Sequence, residues 1–136
     1  MAPERVVLDT NVLISGLLSR TSAPAQVIDR VLTHAQLLVS MPTLRELVAT
    51  LGLSKFDPYV SRDDRKALIR RLVPLAEMVE IVEAVKASRD SADDRVLEVA
   101  VNGRATTIVT GDRDLLVLHP FRGIVIVPPR EYLARA

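Results

Sequence analysis

A chain of 136 residues with a net charge of +1 is long enough for one ordinary domain and too short for two. The absence of cysteine excludes disulfides and thiolate metal sites, and no apolar run approaches the roughly 20 residues of a membrane helix. Hydrophobic residues make up 49% of the chain, aromatics only 3% and tryptophan none, so the core has to be built from Val, Leu, Ile and Ala, as in a parallel sheet covered by helices. The opening MAPERVV has no long apolar stretch behind its charges, which predicts a cytoplasmic protein without a secretory leader.

In chain order, the β-branched run RVVLD (5–9) reads as a buried strand, and at Asp9 it hands over to the helical pattern of NVLISGLLS. APAQVIDRVLTHA (23–35) places Val27, Val31 and Leu32 at helical spacing, with Pro24 near the start, where proline is tolerated. QLLVS (36–40) is a second strand, after which MPTLRELVATLGL restarts a helix at Pro42 and stops near Gly52. SRDDRKALIRRLVPLA (61–76) opens with Ser61 and an acidic turn, the marks of a capped helix start. MVEIVE (78–83) is predicted as the third strand, and SADDRVLEVAVNG (91–103) as a helix with Ser91 at its N-cap and Gly103 at its end. ATTIVTGD (105–112) is a fourth strand ending in an aspartate, followed by GDRD as a turn, and GIVIVPP (123–129) is a fifth, closed by two prolines. Strands alternating with helices imply right-handed crossovers and a parallel sheet of four to five strands, whose ligand site lies at the carboxyl ends of the strands. With no internal repeat or linker, residues 1–136 read as one domain.

Acids fall at those strand ends: Asp9 after the first, Glu46 one turn into the helix after the second, Asp90, Asp93 and Asp94 at a helix start, and Asp112 with Asp114 after the fourth. Each alone has a structural explanation. Asp9 can cap a helix, the acids of 90–94 suit a helix dipole, GDRD suits a turn, and Glu46 suits a solvated helix face. Gathered at one sheet edge they would repel one another unless a cation sat among them, and oxygen ligands without His or Cys favour magnesium or manganese over zinc. His34 and His119 lie beside no acid in the chain and read as ordinary residues. The economical chemistry is then metal-assisted hydrolysis of a phosphate ester. Setting aside Asp9, Glu46, Asp90, Asp93, Asp112 and Asp114 leaves 11 acids against 18 Lys and Arg, a balance of +7 that suits a phosphate-rich substrate. Arg62, Lys66 and Arg70 recur every four residues opposite Leu68, Ile69 and Leu72; with Arg113 they are the candidate contacts to a nucleic-acid backbone, although a solvated helix face explains the three equally well.

VVLDTNVLISGL, TLRELVATL, RDSADDRVLEVAVNGRATTIVTGDRDLL and GIVIVPPREYL, in this order and spacing, resemble PIN-domain proteins, in particular VapC-like toxins of toxin–antitoxin pairs. The resemblance covers nearly the whole chain. It implies a three-layer α/β/α sandwich and a ribonuclease site that uses one or two Mg2+ or Mn2+ ions. By position, it implies that Asp9 is the main metal ligand, with Thr10 beside it and Asn11 bracing it, and that Glu46, Asp93 and Asp112 complete the catalytic acids. Asp114 would add a ligand, Asp90 and Thr110 would support the site, and Asp94 is the alternative to Asp93. Ser91 stands where related proteins often have proline. The resemblance further implies RNA as substrate, a homodimer or higher homo-oligomer, and a small antitoxin encoded nearby.

Three other functions fit parts of this pattern. One is a PIN-like RNA-processing nuclease outside a toxin pair. Another is a catalytically inactive domain that binds a metal and a partner. The third is a phosphatase of the haloacid-dehalogenase kind, with Asp9 as nucleophile; it usually wants a second acid at position 11, where this chain has asparagine.

Overall fold

The computed structural model describes residues 3–135. The chain runs β1 (Arg5–Leu8), α1 (Thr10–Leu18), α2 (Ala23–His34), β2 (Gln36–Val39), α3 (Met41–Leu51), α4 (Arg62–Leu72), β3 (Glu77–Met78), α5 (Ser91–Asn102), β4 (Thr107–Val109), α6 (Arg113–Leu116), β5 (Val125–Val127) and α7 (Pro129–Ala134). All neighbouring strands pair in parallel, in the order β3-β2-β1-β4-β5. Successive strand residues therefore feed opposite layers. Val6, Leu8, Leu37, Val109 and Val127 pack with α1, α2, α3, α4 and α7 on one face. Val7, Leu38, Ile108 and Ile126 pack with α5 and α6 on the other. Each fully buried Val, Leu or Ile contributes about 1.5–3 kcal/mol, and burial on both faces explains why the strands are continuous apolar runs.

Helix starts follow local chemistry. Ser22, Ser40 and Ser61 accept amide hydrogen bonds at the N-termini of α2, α3 and α4, and Ser40 with Thr43 forms a reciprocal capping box. α1 and α2 cross at Gly16, where an added Cβ would lie 2.5 Å from Ile28 Cδ1 and 3.1 Å from the backbone nitrogen of Ala25. The Ile28 tip can move but the backbone cannot. Gly16→Ala is therefore expected to destabilise the protein by about 1–3 kcal/mol, read as a fall in Tm. Gly52→Ala, at the open end of α3 with no neighbouring atom under 3.5 Å, should stay within about 0.5 kcal/mol of wild type.

The structure departs from the predicted elements in four places. The third strand is only Glu77–Met78, not 78–83. Pairing with β2 extends one residue further, through the Val79 amide to Val39 O, and stops because β2 turns into α3 at Ser40. Beyond it, Asn102 takes over the backbone: its Oδ1 accepts from the amides of Val82 and Glu83, both at 2.9 Å, and its Nδ2 donates to Glu83 O. Asp90, not Ser91, is the N-cap of α5, because its carboxylate reaches the Ala92 amide at 2.9 Å. GDRD starts a short helix, α6, with Asp112 as its N-cap, where a plain turn was predicted. Pro128 and Pro129 likewise open α7 instead of simply ending β5, since proline suits the first helical position.

Candidate active site

The sheet order changes direction at its centre: β1 is followed in the chain by β2 and β3 on one side, and β4 then lies against its other side. Such a switch point leaves a crevice at the carboxyl ends of the two central strands. Asp9 and Thr110 are the residues that follow β1 and β4 there. The Asp9 amide donates to Val109 O at 3.0 Å and the Thr110 amide to Val127 O at 3.0 Å, so the ladder carries both side chains to the crevice.

Asp9 occupies the N-cap position of α1 with extended backbone, yet its side chain makes no cap hydrogen bond. Its Oδ2 instead accepts from the Thr110 hydroxyl at 2.8 Å. The same hydroxyl accepts from the Asp112 amide at 3.0 Å, and Asp112 Oδ1 accepts from the Asp114 amide at 2.9 Å. One hydroxyl thus ties two candidate acids together. Asp9 is buried, and that burial pushes its pKa up, with the Asp112 charge adding; the Thr110 hydroxyl and the nearby amides of Asn11 and Thr10 act the other way. The brace predicted from Asn11 is supplied by Thr110: the Asn11 side chain is exposed and makes no hydrogen bond among the described residues.

At the start of α5, Asp93 faces this group while Asp94 does not. Carboxylate oxygens of Asp93, Asp112 and Asp114 lie within 4.8 Å of one another. Asp94 Oδ1 accepts from the amides of Ala87 and Ser88 at 2.9 and 2.8 Å, which holds its pKa down. Asp93 is 4% exposed and its pKa is pushed up to about 7, first by burial, then by the charge of Asp112, with Asp90 and Asp9 adding. Its Oδ2 accepts from the Ser88 hydroxyl at 3.3 Å.

Glu46 looks in from α3, half-buried. Burial raises its pKa, Arg95 opposes that, and Asp9 and Asp90 reinforce it. The sequence-predicted acids are therefore electrostatic neighbours, with Asp93, Asp112 and Asp114 in one tight group that neither Asp9 nor Glu46 joins. Ser88 and Arg95 escaped the sequence reading, although both flank the acids of RDSADDR. Arg62, Lys66 and Arg70 are exposed on α4, in the layer opposite α5 and α6, and Arg113 is exposed next to Asp112. Between the α4 cations lies Arg65, 5% exposed, which sequence spacing had not singled out; it binds the carbonyls of Leu51 and Val60 and pairs with Asp57 at 2.9 Å.

The donor set fits a hard divalent cation. It is all oxygen, and among the described residues none of Asp9, Glu46, Asp90, Asp93, Asp112 and Asp114 forms an ion pair, whereas five ion pairs form elsewhere. Apart from the Arg95 charge near Glu46, these acids share the crevice without a salt-bridged basic partner, which leaves room for a positive ion. No described helix is long and apolar enough to cross a membrane.

Over 117 residues the chain is 27% identical to the uncharacterized protein MJ1680 of Methanocaldococcus jannaschii, covering 85% of this chain and 75% of that one. Among solved structures it is similar to VapBC2 from Rickettsia felis bound to a DNA fragment from their promoter, with a TM-score of 0.61 and 12% identity over 90% of this chain and 96% of that chain. It is similar also to PAE2754 from Pyrobaculum aerophilum, with a TM-score of 0.59 and 15% identity over 97% and 88% of the two chains. For FitAcB from Neisseria gonorrhoeae the TM-score is 0.57 and the identity 17%, over 92% and 98%. These structures share the parallel α/β fold. The PIN domain family model matches residues 5–114, from β1 into α6 and across every candidate acid, and the chain belongs to the PIN-domain family, whose members are generally nucleases.

Proposed function

We propose that this protein is a metal-dependent endoribonuclease that hydrolyses RNA phosphodiester bonds, and that it is the toxin of a type II toxin–antitoxin pair. The observation that carries the nuclease reading is the group of Asp93, Asp112 and Asp114 carboxylates without a basic partner, beside a buried Asp9. In this reading Asp93, Asp112 and Asp114 hold Mg2+ or Mn2+, and Asp9 contributes the oxygen that Thr110 leaves free. When bound, the ion supplies Lewis acidity and positive charge beside a phosphate. Thr110 holds Asp9 and the Asp112 backbone in fixed relation, so neither carboxylate has to reorganise when substrate arrives. In the same reading Glu46, whose pKa burial raises, takes a proton from an attacking water, with the Arg95 charge acting against that rise.

Support for the toxin role comes from the resemblance of the sequence to VapC-like toxins and from the fold shared with VapBC2 and FitAcB. An antitoxin encoded beside this gene and a homodimeric toxin belong to the same proposal. The test has two parts. Incubation with a mixed RNA pool should give cleavage in Mn2+ or Mg2+ and none in a chelator; stabilisation by metal without cleavage of any RNA would favour a non-catalytic domain. The adjacent reading frame should encode a short protein with a DNA-binding amino terminus and an amphipathic tail; its absence would favour an RNA-processing role.

The basic residues of α4 make a further prediction. Binding of a fluorescent single-stranded RNA to the Asp9→Asn protein should weaken with salt. Replacing Arg62, Lys66 and Arg70 together by alanine should flatten the slope of log affinity against log salt by about 2, at about 0.7 for each phosphate that is no longer neutralised. An unchanged slope would remove α4 from the interface and leave Arg113 as the residue that meets the backbone.

A further inference from the structure

The segment between β3 and α5 lacks regular structure, and it supplies the hydroxyl that touches Asp93. Few interactions hold it. Asn102 binds residues 82 and 83, Glu83 pairs with Arg122, and the Val85 side chain is buried. From Ala87 onward the anchor is Asp94, whose Oδ1 accepts both the Ala87 and Ser88 amides. Ser88 is thereby fixed with its hydroxyl donating to Asp93 Oδ2 and accepting from the Asp90 amide at 3.3 Å.

Asp93 needs such a restraint. Once ionised, Asp93 is repelled by the Asp112 charge, and turning toward solvent would relieve that repulsion. The Ser88 hydroxyl opposes that turn by binding one carboxylate oxygen and leaving the other toward Asp112 and Asp114. Asp94 is placed differently: an oxygen that already accepts two amide hydrogens has its lone pairs occupied, and Asp94 is not in the group of converging carboxylates.

We propose that Asp94 is a positioning residue for the metal site: it clasps residues 87–88 so that Ser88 holds the Asp93 carboxylate facing Asp112. The inference rests on the reading of the acid group as a divalent-metal site. It separates two neighbouring aspartates into one that meets the ion and one that aims its neighbour, and it gives the 87–90 segment a function. Partners that orient a metal ligand from behind typically govern affinity by about 10–100-fold.

The test is calorimetric titration of the purified protein with Mn2+ alone, alongside thermal melts in chelator. Asp94→Ala is expected to weaken Mn2+ binding by about ten-fold or more, with circular dichroism in chelator showing a folded protein whose melt is lowered by the loss of the two amide hydrogen bonds. Asp94→Asn keeps an oxygen that accepts both amides and should retain most of the affinity. Ser88→Ala should fall between wild type and Asp94→Ala, and Asp93→Asn should lose binding. Wild-type affinity in Asp94→Ala would overturn the proposal. So would an Asp94→Asn protein as defective as Asp93→Asn, because Asp94 would then be a ligand itself. Should Asp94→Ala fail to fold, undiminished affinity in Ser88→Ala overturns the proposal on its own. A wild-type protein that shows this pattern but cuts no RNA defeats the ribonuclease reading and leaves the positioning role intact; one that binds no Mn2+ defeats both.

Discussion

Asp93→Asn and Asp9→Asn are each expected to lower RNA cleavage by more than about a hundred-fold, beyond the loss that follows from disturbing a residue behind a metal ligand. The two should fail for different reasons. Asp93 is one of three carboxylates that converge on a single point, and an amide there replaces a charged oxygen with a neutral one. Asp9 stands outside that group, with one oxygen taken by Thr110; asparagine can still accept that hydrogen bond through its amide oxygen, so what the substitution removes is the negative charge and the second oxygen. Circular dichroism and melting should show both variants folded, because asparagine has the same shape as aspartate. Full cleavage by either protein would remove that residue from the mechanism. Thr110→Val should resemble Asp9→Asn in direction with a smaller loss, since it leaves the carboxylate present but free to turn.

The second large effect is on stability. Asp93 has a pKa near 7 in the folded protein, against about 3.9 in an unfolded chain. The folded state therefore binds this proton more tightly than the unfolded state. The stability that the proton confers is fully present below about pH 4 and is lost as pH rises through about 7. Asp9 and Glu46 shift in the same direction and steepen the decline. Without metal, the wild-type protein should thus lose stability steadily from pH 4 to 7, unlike a protein whose carboxylates are paired. Asp93→Asn should flatten that decline and raise Tm by several degrees at pH 8 in chelator. Adding Mn2+ should stabilise wild type at pH 8 and leave Asp93→Asn nearly unmoved. A wild-type melt that is flat across this range would show that Asp93 is not forced to hold its proton. Together the two experiments describe a site that weakens the fold in order to bind an ion, as functional sites often do.

Much of the fold is legible in the chain because it rests on local rules. Apolar runs of four residues between capped amphipathic helices specify a parallel sheet without reference to distant residues, and Ser61 caps α4 as its position suggests. The third strand fails where a distant partner competes with local preference. The run 78–83 has strand-forming residues, but the neighbouring strand ends at Val39 and Asn102, twenty residues away, claims its backbone. A local reading cannot see either fact. α6 and α7 are missed because four and six residues are too few to establish a helical period, while GDRD and PP read equally well as turns.

The acids are a similar case. Their delivery to one edge of the sheet follows from chain position alone, since residues after parallel strands and at the starts of the following helices share that edge. Their division of labour does not follow. Asp93 and Asp94 are adjacent in the chain, and about 100° of helical turn sends one toward Asp112 and the other toward the amides of residues 87 and 88. Asp9 could cap α1 or face the crevice. The choice falls to the crevice because Thr110, 101 residues later, arrives on the neighbouring strand with a hydroxyl in reach. Composition and periodicity specify which groups gather. Which oxygen faces which neighbour depends on hydrogen bonds between segments far apart in the chain, and these form only when the sheet brings the segments together.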